Sequence, residues 1–137
     1  MEITSMMMTE SILAEMQACK QTCIECQTTC IDTLKYCKSQ GGKHSDMTMM
    51  SMMRDCAEMC MMCVNMINDG SEFMGNTCSL CAEMCDRTAM ACEKMGSDVT
   101  VMFCAAICRK CAEYCKTIGL NSASYFRRSS LVSEDTL

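Results

Sequence analysis

The chain has 137 residues, about one domain, with 16 Cys, 19 Met, no Trp and no Pro. Its formal net charge is −5 and its 12 basic residues are scattered, which excludes the basic stripe that polyanion binding needs. No apolar run approaches the ~20 residues of a membrane span, and Thr4, Ser5, Thr9, Glu10 and Ser11 interrupt the stretch from Met1 to Glu15, which has no basic n-region; a soluble protein of a reducing cytosol is expected.

Only six glycines can break a helix in a chain without proline. The first helix is expected from about Thr9 to Ser39, ended by Gly41 and Gly42. The second starts after Ser45 or Asp46, either of which can cap it, and runs to about Asn68, where Asp69 and Gly70 stop it. The third begins after Ser71 with Glu72 in its first turn, passes a weak point at Gly75, and ends near Met95 before Gly96. The fourth is capped by Ser97 or Asp98 and runs to Thr117, with Gly119 after it. Such short connections force neighbours to run antiparallel. The expected fold is all-α, an up-down-up-down four-helix bundle over residues 1–118. Residues 119–137 lack periodicity and read as a loose tail, in which Tyr125 and Phe126 are candidates for docking on the bundle or on a partner chain.

The cysteines fall into four groups, one per helix. They are Cys19, Cys23, Cys26, Cys30 and Cys37; Cys56, Cys60 and Cys63; Cys78, Cys81, Cys85 and Cys92; and Cys104, Cys108, Cys111 and Cys115. Steps of four and three residues alternate within each group, with Thr33 and Thr88 at the skipped positions. This is heptad a/d spacing, so each group forms one stripe along its helix and the bundle core is lined with thiols.

Continuing the stripes beyond the cysteines distinguishes the two ends of the bundle. Ile12, Met16, Ile67, Met74 and Ile118 gather at one end as an apolar plug. Cys37, Met49, Met53, Cys92, Met95 and Val101 gather at the other, beneath a loop that carries the single histidine, His44, beside the dense run Met47, Met49, Met50, Met52 and Met53. Met49, Met53, Met95 and His44 are therefore candidate metal ligands at a mouth. Met16, Met59, Met66, Met74 and Met84 read as ordinary core. Met61 and Met62 point away from the axis and, with Ile24 and Ile31, suggest an oligomer contact.

Sixteen small thiols do not suit a bundle as mere filler, because branched side chains normally occupy the space between helices. A disulfide scaffold is the reading that about 12% Cys (16 of 137) suggests in a secreted chain. It conflicts with pairs three and four apart on single helices, where a bridge closes too short a loop to contribute much. Iron–sulfur ligands usually sit in loops, often beside proline, and a thioredoxin-like role lacks strands for its sheet. Soft thiolate and thioether donors select Cu(I), with zinc as the competitor. Four thiolates on one zinc leave two buried negative charges, whereas Cu(I) and thiolate at about one to one are neutral, which removes the main cost of such a core. The pairs Cys23/Cys26, Cys60/Cys63, Cys78/Cys81 and Cys108/Cys111 are natural two-sulfur sites. Cys19 to Cys37 covers ~27 Å of helix, room for many ions in a row. No Ser-His-Asp arrangement, carboxylate–histidine site or phosphate-binding glycine loop is present, so no enzymatic activity is expected.

The stretches QACKQTCIECQTTC, RDCAEMCMMC, TCSLCAEMC and FCAAICRKCAEYC, over about Met16 to Lys116, resemble the repeating blocks of the bacterial copper storage proteins, a four-helix-bundle family with a cysteine-lined core. That resemblance implies storage of many Cu(I) ions per chain by thiolates, with the sixteen cysteines as ligands, entry at one end past Met and His residues, and assembly as a homotetramer. It also implies a cytoplasmic location, since members without an export signal are similar to this chain. The departure is at the mouth, where cytosolic members have several histidines and this chain has His44 and methionines. The reading is cytosolic copper storage, with a zinc-binding, metallothionein-like buffer as the alternative.

Overall fold

The computed structural model describes the backbone of residues 2–121 and the side chains of residues 10–121. It contains four helices, α1 (Glu2–Gln40), α2 (Met47–Asp69), α3 (Met74–Glu93) and α4 (Val99–Leu120), with one 3-10 turn, Gly42–Ser45, between the first two. Each helix packs against two neighbours in the cyclic order α1, α2, α3, α4 and back to α1, which is the up-and-down four-helix bundle. The core along its axis is the cysteine stripe: all sixteen cysteines are fully buried.

The helix ends follow local chemistry that the sequence expressed only in part. α1 begins at Glu2 rather than near Thr9, since nothing in ITSMMMT breaks a helix. It ends where Gly41 takes a positive φ of 69° with ψ −168° and its N–H donates to the Cys37 carbonyl at 3.2 Å. Of the two possible caps for α2, Asp46 performs the role, accepting from the Thr48 N–H at 3.2 Å. Gly70, left-handed at φ 62° and ψ 38°, closes α2 while the Ser71 N–H reaches back to the Met66 carbonyl at 3.0 Å.

α3 starts at Met74, two residues later than expected. Ser71 caps a turn rather than the helix, its Oγ accepting from the Phe73 N–H at 3.0 Å, and Glu72 stays outside. α3 also stops at Glu93, short of Met95, and unwinds through the Met95 N–H to Cys92 carbonyl bond into Gly96. α4 is capped by Asp98, whose Oδ1 accepts from the Val101 N–H at 3.0 Å.

Gly119 does not terminate α4, which continues to Leu120. The glycine is there for packing: a Cβ at this position would collide with the Ser79 hydroxyl of α3 and lie 3.3 Å from the Ser79 Cα. Close approach of α3 and α4 is supported outside by Arg109, which pairs with Glu93 at 2.8 Å and Asp86 at 3.3 Å, and by Lys116 on Asp86 at 2.8 Å. From residue 122 on, the expected tail lies outside the described residues, as do Tyr125 and Phe126.

The plug is formed as the stripes implied. Met16, Ile67, Met74 and Ile118 are buried there and Ile12 packs partly against them. At Gly119, substitution by alanine gains at most about 1 kcal/mol of helix propensity, and less in a last turn, while overpacking costs about 1–3 kcal/mol. Gly119→Ala is therefore expected to lower apo stability by about 1 kcal/mol in urea unfolding, with part of the loss recovered when Ser79→Ala is added.

Candidate metal centre

Because α-helical residues three and four apart share a face, the four stripes meet sulfur to sulfur. Cys56 and Cys85 approach to 3.5 Å, Cys19 and Cys23 each lie 3.7 Å from Cys115, and Cys30 lies 3.7 Å from Cys108. These are contact distances, so at these levels the thiols themselves fill the seam, contrary to the expectation that they leave it underfilled. No cysteine is in a disulfide.

The contacts join into one unbroken path. It runs from Cys19 through Cys115, Cys23 and Cys111 to Cys60, with steps of 3.7, 3.7, 3.8 and 4.0 Å. It continues through Cys81, Cys85, Cys56 and Cys26, with steps of 3.9, 3.9, 3.5 and 4.0 Å. Its last steps, through Cys108 and Cys30 to Cys104, measure 3.8, 3.7 and 3.9 Å. Cys37 and Cys92 are buried toward the mouth end, and Cys63 and Cys78 toward the plug.

Four sets of thiols lie close enough to hold an ion, every sulfur within 4.8 Å of the others in its set. They are Cys23, Cys60, Cys81 and Cys111; Cys23, Cys63, Cys81 and Cys115; Cys26, Cys30, Cys56 and Cys108; and Cys26, Cys56, Cys60 and Cys85. The first two draw one sulfur from each helix. None contains a Cys-x-x-Cys pair, whereas Cys26/Cys30 and Cys56/Cys60, four residues apart, each share one: at 3.6 residues per turn four residues return to within ~40° of the same direction and three fall ~60° short of it. Sequence spacing identified the stripe; which sulfurs gather into these four-thiol sets follows from the packing of the helices.

The sets overlap. Cys23 and Cys81 belong to two, Cys26 and Cys56 to two, and Cys60 to two, so no more than two sets can be filled without sharing a sulfur. A tetrahedral site with metal–sulfur bonds of ~2.3 Å has sulfur–sulfur edges of about 3.8 Å, which these contacts already match. Size therefore admits zinc or copper. Sharing distinguishes them: isolated tetrahedra use each thiolate once, whereas a column of shared thiolates suits metal ions that each need fewer sulfurs.

The thiols also tune one another. Cys60 is pushed up, chiefly by its interaction with Cys111, then with Cys23 and other thiols, and by burial. Cys26 is pulled down, chiefly by Cys108 and next by Cys111 and Cys30, and Cys115 is pulled down chiefly by Cys111. A thiolate at such a position is held by neighbouring S–H donors, but each donor must then remain protonated. Cys37, with fewer sulfur neighbours, is raised by burial first and then by the negative charges of Asp98 and Cys104. Full deprotonation of the column requires cations in place of the protons, so metal uptake releases protons.

At the mouth, Met49 and Met53 are buried and Met95 is partly buried against the core. His44 does lie over this end, where its Nε2 is 2.8 Å from Asp98 Oδ2 and its ring meets Tyr36 edge-on. The Tyr36 hydroxyl donates to the same carboxylate oxygen at 2.7 Å. Tyr36 carries no sequence signal, because it lies one position off the stripe. Thr33 and Thr88, the skipped positions, are buried in the column; Thr88 donates to the Met84 carbonyl at 2.8 Å, while the Thr33 hydroxyl interacts with Cys104.

A bundle whose axis is a continuous column of buried free thiols belongs to the class of multi-ion thiolate metal-binding proteins. A family model for Csp, the copper storage protein, matches residues 12–119. The uncharacterized cysteine-rich protein YhjQ of Bacillus subtilis (strain 168) is 30% identical over 102 residues, 74% of this chain and 94% of that protein. The chain belongs to the copper storage protein family. Among solved structures, the Nmul_A1745 protein of Nitrosospira multiformis superposes with a TM-score of 0.73 at 34% identity, covering 78% of this chain and 96% of its own. Cu(I)-bound copper storage protein BsCsp3 gives 0.72 at 28% identity, covering 77% and 98%, and apo copper storage protein 3 of Bacillus subtilis gives 0.68 at 28%, covering 75% and 97%.

The Asp98 carboxyl is held down to about 2 by the Val101 N–H first, and then by His44 and Tyr36. Its ordinary value is about 3.9, so its contribution to stability is complete above that pH and is lost as pH falls toward 2. Asp98→Ala is expected to lower the urea midpoint of the reduced apo protein at pH 6, with the difference from wild type closing between about pH 4 and pH 2.

Proposed function

We propose that this chain is a cytoplasmic, non-enzymatic store for Cu(I), holding many ions per bundle on the thiolates of its sixteen cysteines. The observation that carries the reading is the overlap of the thiol sets along one buried column. Sulfurs shared between adjacent sets suit an ion that accepts two or three soft ligands and balances about one thiolate each. Each Cu(I) that replaces a thiol proton leaves the core neutral, so filling can proceed along the axis without accumulating buried charge. Exchange of one sulfur for the next at each copper moves ions along the column and never requires free Cu(I). The likeness to Cu(I)-bound BsCsp3 supports the same choice of metal.

Entry is at the end beneath His44, past Met95, Met49 and Met53, whose thioethers are neutral soft ligands suited to passing Cu(I) inward. Assembly as a homotetramer is supported by apolar side chains on the outer faces, among them Ile24, Met61 and Met62, which are exposed in the single chain. Light scattering of the reduced apo protein is expected to give four times the chain mass; a monomer would remove this part of the reading.

Zinc remains the second reading because the sulfur edges suit a tetrahedron. Anaerobic titration of reduced protein with Cu(I) against a chelator is expected to exceed one ion per four cysteines. A stop at that ratio, with tetrahedral all-sulfur Co(II) spectra, would favour zinc. Changing Cys26, Cys56, Cys60 and Cys85 to alanine, four of the 16 cysteines, is expected to lower copper capacity by about a quarter. An unchanged capacity would refute storage in the core. Followed in time, the same titration of a His44→Ala, Met49→Leu, Met53→Leu, Met95→Leu variant is expected to load more slowly to the same endpoint.

A further inference from the structure

An open cleft of about 660 Å³ lies between the start of α2 and the end of α3. Its floor and walls carry four methionines, Met49, Met52, Met90 and Met95. They grade from solvent to core: Met90 is 53% exposed, Met52 and Met95 are intermediate, and Met49 is 2% exposed within the core cluster. The thioethers therefore form a soft-ligand track leading to the sulfur column.

Three cations, Lys43, Arg87 and Lys94, edge the same cleft. Asp46 is the one acid that lines it, and its carboxylate is engaged with the Thr48 N–H as the cap of α2. Glu83, which pairs with Arg87 at 2.7 Å, is not among the lining residues. In a chain with a net charge of −5 this is a local reversal of sign. A bare Cu(I) ion gains nothing from a basic rim; an anion does. On the other side of the mouth Tyr36 and His44 both meet Asp98 at the head of α4, while the α2–α3 cleft is open to solvent.

We propose that this cleft docks Cu(I) delivered as an anionic complex with a small carboxylate-bearing thiol. The inference rests on the copper storage reading. Lys43, Arg87 and Lys94 hold the carrier's carboxylates while Met90 and Met52 take the metal. A methionine sulfur donates a lone pair to copper as one carrier Cu–S bond breaks, and the carrier departs as a thiolate. When a core cysteine then replaces the methionine, its proton passes to that thiolate. The net change exchanges one Cu–S bond and one S–H bond between carrier and protein, with copper remaining Cu(I) and no electron transferred.

The test compares anaerobic stopped-flow loading of the full, reduced chain from two sources, the anionic Cu(I)–glutathione complex and the cationic acetonitrile complex of Cu(I). A Lys43→Glu, Lys94→Glu variant is expected to load from glutathione about 10-fold more slowly at low salt, with the gap closing at about 1 M salt, while acetonitrile loading is as fast or faster. The neutral Lys43→Gln, Lys94→Gln variant should fall between and guards against misfolding of the charge-reversed form. Met52→Leu with Met90→Leu should slow loading from both sources. Equal slowing by the lysine changes with both sources, no slowing with either, or no effect of the methionine changes would overturn the docking site. All of these outcomes presuppose an intact copper capacity in the wild type, whose absence would defeat the storage reading instead.

Discussion

Electrical neutrality in a dry sulfur column is the condition on which this bundle depends. A neutral thiol is a small, nearly apolar group that packs in a core at little cost, and all sixteen do so here. A thiolate in the same place is expensive unless something offsets its charge. Neighbouring S–H groups can offset a few, which is why Cys26 and Cys115 are pulled down while Cys60 and Cys108 are pushed up. They cannot offset all, because every donor must keep its proton. A monovalent soft cation removes this limit by replacing protons one for one.

The two ends of the column make it directional. Ile67, Met74 and Ile118 close one end with hydrocarbon and thioether that offer no charged or exchangeable ligand to solvent. At the other end the connecting turn is short and polar, and Asp98 gathers a helix N-terminus, a phenol and an imidazole on one carboxylate. The outer surface of the bundle is negative, but beside this end the basic rim of the α2–α3 cleft reverses the sign. A cargo that is neutral once stored is compatible with delivery as an anion beside this end.

Periodicity revealed the helices, their faces and the asymmetry of the ends, because thiols at a/d spacing mark a stripe as plainly as leucines do. It could not reveal which sulfurs meet. Cys23 and Cys26 are neighbours in sequence, yet they fall in different sets, Cys23 meeting Cys111 and Cys115 across the axis and Cys26 meeting Cys56 and Cys108 across it besides Cys30 on its own helix. Helix ends were legible where one residue decides them, as at Gly70 and Asp98, and illegible where packing decides: Gly119 reads as a stop and is instead a point of close approach to Ser79. Tyr36, Arg87 and Lys94 lie off the stripes, and only the juxtaposition of helices gives them a role.

The sharing of sulfurs between sets has a consequence for how the column fills. Cys23 and Cys81 link the two sets nearest the plug, Cys60 links these to the middle, and Cys26 and Cys56 link the middle to the set that leads on to Cys104. An ion bound in one set already touches sulfurs of the next. Movement from one set to the next then breaks one Cu–S bond as another forms, without a step in which copper crosses a gap unliganded. Independent tetrahedral sites would instead trap each ion behind the loss of several bonds at once. Overlap that looks like crowding in the apo bundle is thus what suits the column to dense storage, with no set isolated from the next.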